Sequence, residues 1–549
     1  MSQDVLRGLQ KLFGSERRSD CEITFCRDES APIADGSAAS EAVFGPPLPA
    51  HSVVLELASE RFRTQFERWE PVSATAGRRP QLRIPLGSAA EVPAARAAIR
   101  FAYTGEVPTD SSVRQVLELR RQGAYLQISG CVAACDEVLT AKVSSSSRAA
   151  VASSHMKNGS NKRARTSEEA PQQPPAVLEL FESEVLWPDP QAEPAFGAIL
   201  ATGKRSLVAH FGNSLAALNT HSLREQLLAL PAVALEALLE SDEFGTDDEA
   251  SVLLMLAMWM RINRDKAEPA VRQRLCRTVR LVHLSRPYLS LILPALAADH
   301  EKDPEAPAGW FSGADALEAT AVANFASAAA KEKQMVLWAA EELPAVSGLL
   351  RVRPRPQCIP PSGGLTFSWH IPKEHLLQTV RQLQPGSVQR VYGAFDHQPH
   401  LAWYLQHGVF AWGFEWCVFI QVTGGQSTAG VLMHCDLPTA LTPPGSRLSR
   451  EGTLTRITTV PISASLVVHR RQGAAARNVQ KTCTSDVFVN VGTARGWFKM
   501  LPLQNRQQQD AMGNTAAAVT VAADPLAAWV EYLTDGKVSG TLTLLRPSP

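Results

Sequence analysis

The stretch LPAHSVVLELASERF, residues 48–62, decides how the first part of this chain is interpreted. It opens with a proline and a single histidine, His51, and continues with apolar residues at helical spacing up to the aromatic Phe62. The surrounding sequence offers His51 no nucleophile or acid partner, which disfavours a catalytic role for the imidazole. The pattern therefore predicts that His51 is a structural residue.

The sequence on both sides of this stretch predicts a small α/β domain over residues 1–143. EITF, residues 22–25, alternates like a strand, and residues 82–86 form a second brief strand. Helical spacing of apolar residues predicts an N-terminal helix, two short helices within 48–69, and further helices over 94–103, 113–126 and 131–139.

Residues 144–176 are predicted to be a disordered linker. From Ala141 to Ala176 the chain has no aromatic residue, leucine or isoleucine, so this segment cannot bury enough apolar surface to offset its chain entropy. A basic cluster within it, Lys162, Arg163 and Arg165, predicts a nuclear localisation signal. A solvated charged linker is the alternative interpretation.

Two further domains are predicted after the linker, which makes the chain a multidomain α+β protein. Residues 177–350 form an all-α domain, because apolar spacing is helical throughout 223–293 and Thr246 to Glu249 has the spacing of a capping box. Residues 351–549 form a β-rich domain. There GVFAWGFEWCVFIQV, residues 408–422, alternates with period two, and TSDVFVNV and SGTLTLL repeat the pattern.

Composition limits the kinds of partner. A chain of 549 residues is long enough for about three domains, and its 54 Lys plus Arg balance its 54 Asp plus Glu. This balance removes any global attraction to nucleic acid or acidic membrane. The longest apolar window, 252–260, is about half of what a bilayer crossing needs. The nine scattered cysteines favour reduced thiols in the cytosol or nucleus.

No motif in the sequence predicts an enzyme, a cofactor or a metal site with useful specificity. GAILATGKR from Gly197 fails the phosphate-loop pattern, and the nucleophile-elbow imitation around Ser214 lacks its final glycine. Two weak zinc candidates lack the paired spacing of strong motifs. They are Cys131 with Cys135, and Asp396 with His397, His400 and His407.

Five blocks in the first domain resemble the BTB/POZ domain in its usual order. They are SDCEITF, LPAHSVVLELASERFRTQF, LRIPLGS, IRFAYTGEVP and VLELRRQGAYLQISGCVAACDEVL. Asp20 and the Ala50-His51 pair are similar to the Asp and His of that family, which shape the fold and do not catalyse.

Two later segments resemble the BACK helical domain that often follows BTB. They are residues 223–261 and RLCRTVRLVHLSRPYLSLIL, residues 274–293. The last third is similar to the C-terminal region of plant BTB-BACK proteins of the POB/light-response type, with a TRAF-like sandwich as the fold that this implies.

The resemblance implies a substrate-recognition adaptor of a cullin-3 RING ubiquitin ligase. The basic cluster at Lys162, Arg163 and Arg165 predicts a location in the nucleus, with the cytoplasm as a second location. The partners of such an adaptor would be the cullin-3 scaffold, a second copy of the chain and an unknown protein substrate, with no direct nucleic acid, membrane or cofactor. The implied cullin interface is Phe62, Phe66, Trp69 and Tyr103. The implied dimer interface is Val5, Leu6, Leu9, Phe13, Val53, Val54 and Leu57.

Three features depart from the family pattern. The segment 28–47 is longer than is typical, no hydrophobic-x-Glu element follows Trp69, and the basic cluster lies after the first domain instead of before it. The missing element favours an alternative, a BTB scaffold or transcriptional co-regulator that dimerises and recruits partners without a cullin. A third hypothesis is an enzyme whose catalytic part is the β-rich region.

Overall fold

The computed structural model divides into two compact units, Met1–His210 and Phe211–Pro549. It describes residues 8–28, 43–68, 79–156, 175–340, 348–350, 352–395, 408–449, 452–471, 478–503 and 525–546, with the backbone alone at 146–156, 483–487 and 528.

A three-stranded sheet lies in the core of the first unit. Strand β1 (Cys21–Arg27) is central, pairs antiparallel with β2 (Leu48–Ala50) and pairs parallel with β3 (Gln81–Leu86). The alternate residues Leu82, Ile84 and Leu86 of β3 are buried, as the period of a strand requires. The structure confirms both strands predicted from the sequence.

Helices cover this sheet, and each helix predicted between residues 48 and 139 is present. Residues Ala176 onward add further helices to the same unit. The helices are α1 (Ser52–Ala58), α2 (Glu60–Glu67), α3 (Val92–Thr104), α4 (Val113–Tyr125), α5 (Cys131–Met156), α6 (Ala176–Glu182) and α7 (Pro194–Phe211), with short 3-10 helices at Ala89–Glu91 and Glu184–Leu186.

The structure corrects the predicted start of the linker. Helix α5 continues from residue 144 to Met156, where the sequence predicted disorder. This part of the chain is rich in Ala and Ser and contains no Gly or Pro, so nothing in it interrupts a helix that has already begun. Residues 157–174 lie outside the described part of the chain.

The first unit also extends past the predicted end of the α/β domain at residue 143. The Glu179 carboxylate on α6 accepts hydrogen bonds from the backbone N–H groups of Val113 (3.0 Å) and Arg114 (3.1 Å), which are unpaired at the start of α4. On α7, the Ser206 hydroxyl donates to the carbonyl of Val143 (3.0 Å). These bonds attach the helices after the linker to those before it.

The second unit begins with a helical region around one buried helix. Five consecutive residues of α11, Val252 to Leu256, have no exposed surface, so the helix is enclosed on all sides. The helices of this region are α8 (Ser214–Asn219), α9 (His221–Ala229), α10 (Ala232–Glu240), α11 (Glu249–Asn263), α12 (Pro269–Arg277), α13 (Leu293–Lys302), α14 (Ala316–Ser327) and α15 (Ala330–Ala339). Shorter helical turns lie at Arg264–Lys266, Leu281–His283, Tyr288–Ile292 and Pro307–Gly309.

Helix α11 starts where the sequence predicted, but without the predicted capping box. Asp248 is the N-cap, and its carboxylate accepts from the backbone N–H of Ala250 (2.8 Å). Thr246 instead donates its hydroxyl to the backbone carbonyl of Asp248 (2.6 Å). The cap therefore lies two residues later than the spacing from Thr246 to Glu249 indicated.

The rest of the second unit consists of two antiparallel sheets, as the period-two pattern predicted. The strand orders are β11-β10-β14-β4-β6, with β13 paired to β14, and β12-β9-β8-β5, with β7 paired to β8. The strands are β4 (Leu365–Pro372), β5 (Val388–Tyr392), β6 (Ala394–Phe395), β7 (Gly408–Ala411), β8 (Phe414–Thr423), β9 (Thr428–Asp436), β10 (Thr459–Val468), β11 (Val479–Asn490), β12 (Ala494–Pro502), β13 (Leu533–Thr534) and β14 (Lys537–Leu544). Helices α16 (Lys373–Gln382) and α17 (Thr453–Ile457) and a 3-10 helix (Ala527–Trp529) connect them.

The turn between β7 and β8 joins the sheets to the helical region. Trp412 and Gly413 both have positive φ, 53° and 79°, as a two-residue hairpin turn requires. The Asp247 carboxylate accepts from Trp412 N–H (2.5 Å), and the Ser251 hydroxyl accepts from Gly413 N–H (3.1 Å). Tyr288 donates its hydroxyl to the carbonyl of Gly413 (2.5 Å). The turn is thus held by hydrogen bonds among the helices.

Candidate functional site

His51 is held at the edge of the first unit's sheet by Tyr103. The Tyr103 hydroxyl accepts from the backbone N–H of His51 (2.9 Å) and lies 3.2 Å from its Nδ1, while Nε2 lies 2.9 Å from the carbonyl oxygen of Arg17. A neutral imidazole with its proton on Nε2 satisfies all three contacts. Burial raises the pKa of Tyr103 to about 12, which keeps the hydroxyl protonated. His51 is buried and both of its ring nitrogens have a partner within the protein, an arrangement that supports the predicted structural role.

Asp20 fixes the start of α1 beside this pair. Its carboxylate accepts from the backbone N–H of Ser52 (2.8 Å) and from the Ser52 hydroxyl (2.5 Å). Partial burial acts to raise the pKa of Asp20, but the hydrogen bonds from Ser52 outweigh it and the pKa lies below its usual value. Since His51 provides no side-chain cap for α1, the carboxylate of Asp20 takes that role.

Helix α1 presents an apolar surface made by two residues predicted for the dimer interface. The side chains of Val53 and Leu57 are one helical turn apart, and the residues are 61% and 83% exposed. Val54, also predicted there, is buried. Leu9 and Phe13 are partly buried against the core. Val5 and Leu6 lie outside the described residues.

The residues predicted for a cullin interface are divided between core and surface. Phe62 has no exposed surface and Tyr103 is 2% exposed, so neither side chain can itself touch a partner that docks on this unit. Phe66 on α2 is partly buried and remains accessible. Trp69 lies outside the described residues. A docking surface here would rest on Phe66, with Phe62 and Tyr103 supporting it from the core.

The structure describes some of the other candidate residues and not the rest. Cys131 and Cys135 are buried free thiols, and within the described part of the chain no group of three or more His, Cys, Asp or Glu could hold a metal ion. Gly203 lies inside α7, and buried Ser214 bonds to the Thr246 hydroxyl (2.7 Å). Outside the described residues are Lys162, Arg163, Arg165, Asp396, His397, His400 and His407.

A buried acidic cluster lies at the start of α11. Glu249 pairs with Arg355, whose Nε is 3.0 Å from its carboxylate, and also accepts from the backbone N–H of Arg280 (2.9 Å). Burial, with smaller contributions from the neighbouring carboxylates of Asp247 and Glu249, raises the pKa of Asp248 to about 7. Each carboxylate is hydrogen-bonded within the protein. The cluster therefore joins segments of the chain that are far apart in the sequence.

Sequence reasoning missed the residues that pair with this cluster. Arg355 lies more than a hundred positions after Glu249 and also donates to the backbone carbonyls of Ser241 (3.0 Å) and Leu239 (2.5 Å). The period-two pattern predicts that Trp412, the partner of Asp247, lies within a strand, but it lies in the turn between β7 and β8. The run of three acids at a helix start was the only available signal, and it does not name its partners.

Comparison with known proteins identifies part of the second unit. The family model described as BACK, BTB And C-terminal Kelch, matches residues 214–293, which span α8 to the first residue of α13. A search of curated proteins finds no matching sequence. Among the described residues, no helix is long and apolar enough to cross a membrane.

The chain thus contains a BACK domain followed by a β-rich region, and this supports a protein of the BTB/BACK type. The BACK domain is typical of BTB adaptors of cullin-3 ligases.

Proposed function

We propose that this protein is a substrate-recognition adaptor of a cullin-3 RING ubiquitin ligase. The BACK domain at residues 214–293 is the observation that supports the proposal most strongly. In this proposal the first unit acts as the BTB domain, the BACK domain follows it in the chain, and the role of both is to bind other proteins. An adaptor needs no acid, base or nucleophile, because its role is to raise the effective concentration of substrate lysines near the ligase.

The proposed adaptor is a homodimer that pairs through α1. Val53 and Leu57 would be buried at a two-fold interface, which accounts for two large apolar side chains exposed on a single helix face. Leu9 and Phe13 lie in the preceding segment and would extend the same interface.

A scaffold or transcriptional co-regulator without a cullin is the second candidate. It is favoured by the burial of Phe62 and Tyr103. Among the described residues predicted for the cullin interface, Phe66 is then the one aromatic side chain that a partner can reach. Interfaces usually depend on a few accessible large side chains, so a surface with fewer of them is a weaker docking site.

A pull-down with the purified N-terminal domain of cullin-3 separates the two candidates. The adaptor proposal expects the full-length wild type to bind, Phe66→Ala to bind more weakly, and Val185→Ala to bind like the wild type. Val185 is the control because it is apolar, 81% exposed and in the same unit. Absence of binding by the folded wild type would remove the ligase role and leave the scaffold.

We also propose a nuclear location, with the cytoplasm as a second one, on the basis of the basic cluster Lys162, Arg163 and Arg165. Fusing residues 141–176 to a fluorescent reporter tests it. A reporter that stays evenly distributed between nucleus and cytoplasm would contradict the proposal.

A further inference from the structure

The charge of the chain is unevenly distributed, although its formal total is zero. Residues 452–549 contain ten Lys and Arg against five Asp and Glu, which gives this segment a formal charge of +5. The residues before it carry the balancing negative charge. The balance of the whole chain removes a global attraction to polyanions, but it does not exclude a local attraction at the C-terminal strands.

Strands β11 and β12 bring part of this charge together at one side of the β-rich region. They are consecutive in the chain, and each is the edge strand of its own sheet. Two hydrogen bonds bridge them. Arg495 donates from Nη2 to the carbonyl of Phe488 (3.3 Å), and Lys481 donates from Nζ to the carbonyl of Gly496 (2.6 Å). The two edge strands are thus held next to each other.

Three exposed cations lie on or beside these strands. Arg495 and Lys499 are on β12. Arg456, near the end of α17, is held beside β11, because the side-chain amide of Asn490 donates to its carbonyl (3.2 Å). A guanidinium group has five N–H donors, so Arg495 keeps donors for a ligand after its bond to Phe488.

Two large apolar rings are exposed on the same strands. Phe488 on β11 is 54% exposed, and Phe498 on β12 is 60% exposed. Arg495 connects them, since it bonds to the backbone of Phe488 and lies three residues before Phe498. Aromatic rings that are exposed beside cations indicate a ligand that has both flat apolar groups and negative charge.

Single-stranded nucleic acid combines these two properties in each repeating unit. A nucleotide carries a base that stacks on an aromatic ring and a phosphate that pairs with a cation. An acidic peptide supplies the charge without the flat groups, and a duplex keeps its base faces stacked inside the helix. The two rings lie within strands of a sheet and not at a loop tip, where they would be placed to enter a bilayer.

We propose that the surface formed by β11 and β12 binds single-stranded nucleic acid. Phe488 and Phe498 stack on bases, and Arg456, Arg495 and Lys499 contact phosphates. The inference goes beyond the adaptor function and does not depend on it. It differs from the expectation that the chain has no direct nucleic-acid partner, because the position of the charges decides a local attraction and their total does not.

Fluorescence anisotropy with labelled single-stranded RNA and single-stranded DNA of mixed sequence tests the inference on the full-length chain. Every sample carries Lys162→Gln, Arg163→Gln and Arg165→Gln, because this separate basic cluster also attracts phosphate. We expect this background protein to bind. The logarithm of its affinity should fall with the logarithm of the salt concentration at a slope of about −2, from about −0.7 for each of three phosphate contacts.

Variants separate the stacked bases from the phosphate contacts. Phe488→Ala and Phe498→Ala should each lower the affinity about fivefold or more and leave the salt slope unchanged, because they remove no phosphate contact. Lys499→Gln should lower the affinity and make the slope less steep by about 0.7. The matched controls Trp338→Ala, at an exposed aromatic residue of α15, and Arg277→Gln, at an exposed arginine of α12, should bind like the background protein.

Absence of oligonucleotide binding by the background protein would overturn the inference, as would equal losses from Phe488→Ala, Phe498→Ala and Trp338→Ala. Competition with polyglutamate and flotation with phosphatidylserine vesicles distinguish the other anionic partners. If either binds more tightly than the oligonucleotides do, the partner is an acidic protein or a membrane and the inference is wrong. The assay contains no cullin, so its outcome is independent of the ligase proposal.

Discussion

Tyr103 shows how one hydroxyl group can fix a loop at the edge of a sheet. It accepts from the backbone N–H of His51 and contacts the imidazole at the same time. Replacing Tyr103 by phenylalanine leaves that buried N–H without its acceptor. We expect Tyr103→Phe to lower the free energy of unfolding of the first unit by about 1–3 kcal/mol, measured by urea denaturation.

Tyr125→Phe provides the comparison for this prediction. Its hydroxyl also makes two hydrogen bonds, to the carbonyl of Pro85 (3.2 Å) and from Arg61 (3.0 Å), but the residue is partly exposed and water can replace the lost partners. Tyr125→Phe should therefore lower the free energy of unfolding by much less than Tyr103→Phe does. Equal losses from the two variants would show that the buried position of Tyr103 contributes nothing special.

Asp248 makes the stability of the second unit depend on pH. Its pKa rises from about 3.8 to about 7 in the folded chain, chiefly through burial. Between these values the folded protein keeps a proton that the unfolded chain releases. The stability that protonated Asp248 contributes is therefore fully present below about pH 3.8 and is lost as the pH rises through about 7.

Asp248→Asn should remove this dependence and keep the cap, because asparagine caps a helix as well as aspartate does. As the pH rises from about 5 to about 8, the wild type should lose about 2–3 kcal/mol of stability that Asp248→Asn keeps. The stability of the variant minus that of the wild type should therefore increase by this amount. Thermal unfolding at the two pH values measures it. A difference between variant and wild type that is the same at both values would contradict the assignment.

At the scale of elements, α1 is a short helix with one face in the core and one on the surface. Val54 and Leu55 are buried, while Val53 and Leu57 are exposed. If the exposed face forms the proposed dimer interface, the double variant Val53→Asp, Leu57→Asp should convert the protein from dimer to monomer, because it buries two unpaired charges at the interface. Light scattering coupled to size exclusion gives the mass directly.

Val185→Asp is the control for the dimer prediction, since it places the same charge on an equally exposed apolar residue of the first unit. It should leave the dimer intact. If the wild type has the mass of one chain, or if the double variant has the mass of two chains, α1 does not form the dimer interface.

The elements that the sequence predicted are those whose signal is local. Alternation in β8 and apolar spacing in α11 come from short runs of neighbouring residues, and α11 lies where its pattern indicated. The alternation ran without a break through residues 408–422, whereas the structure divides this run into β7 and β8 at the turn of Trp412 and Gly413. Contacts between distant residues carry no such signal. The pairing of Glu249 with Arg355 and the burial of Phe62 depend on how the elements pack, which periodicity does not specify.

The same limit explains the placement of the candidate interface residues. Phe62 and Phe66 are four positions apart on α2 and both fit an aromatic docking surface in the sequence. In the structure Phe62 is enclosed by the core and Phe66 is only partly covered. A helix face is broad enough to hold a core residue and a surface residue at its two margins, and the spacing alone cannot separate them.

At the scale of the whole chain, the second unit is held together by polar contacts as well as by its apolar core. The hairpin turn at Trp412 and Gly413 is bonded to Asp247, Ser251 and Tyr288 of the helical region. The BACK domain and the β-rich region therefore share a network of buried hydrogen bonds. Breaking it should weaken both parts at once.

Gly413→Ala tests this coupling. The residue has φ of 79°, and a Cβ there would lie 2.4 Å from the Tyr288 hydroxyl oxygen and 2.6 Å from the Ala250 Cβ. Gly425, in the turn between β8 and β9, has φ of 86° but nothing within 4 Å of such a Cβ. Both variants incur the backbone strain of about 1 kcal/mol, and only Gly413→Ala adds a steric clash.

We therefore expect Gly413→Ala to destabilise the second unit by about 3 kcal/mol or more and Gly425→Ala by about 1 kcal/mol. Hydrogen exchange followed by mass spectrometry shows where the loss falls. Faster exchange in both α11 and β8 for Gly413→Ala would follow from the shared network. Faster exchange confined to β7 and β8 would mean that the helical region holds its structure without the turn, and that the two parts of the unit are stabilised separately.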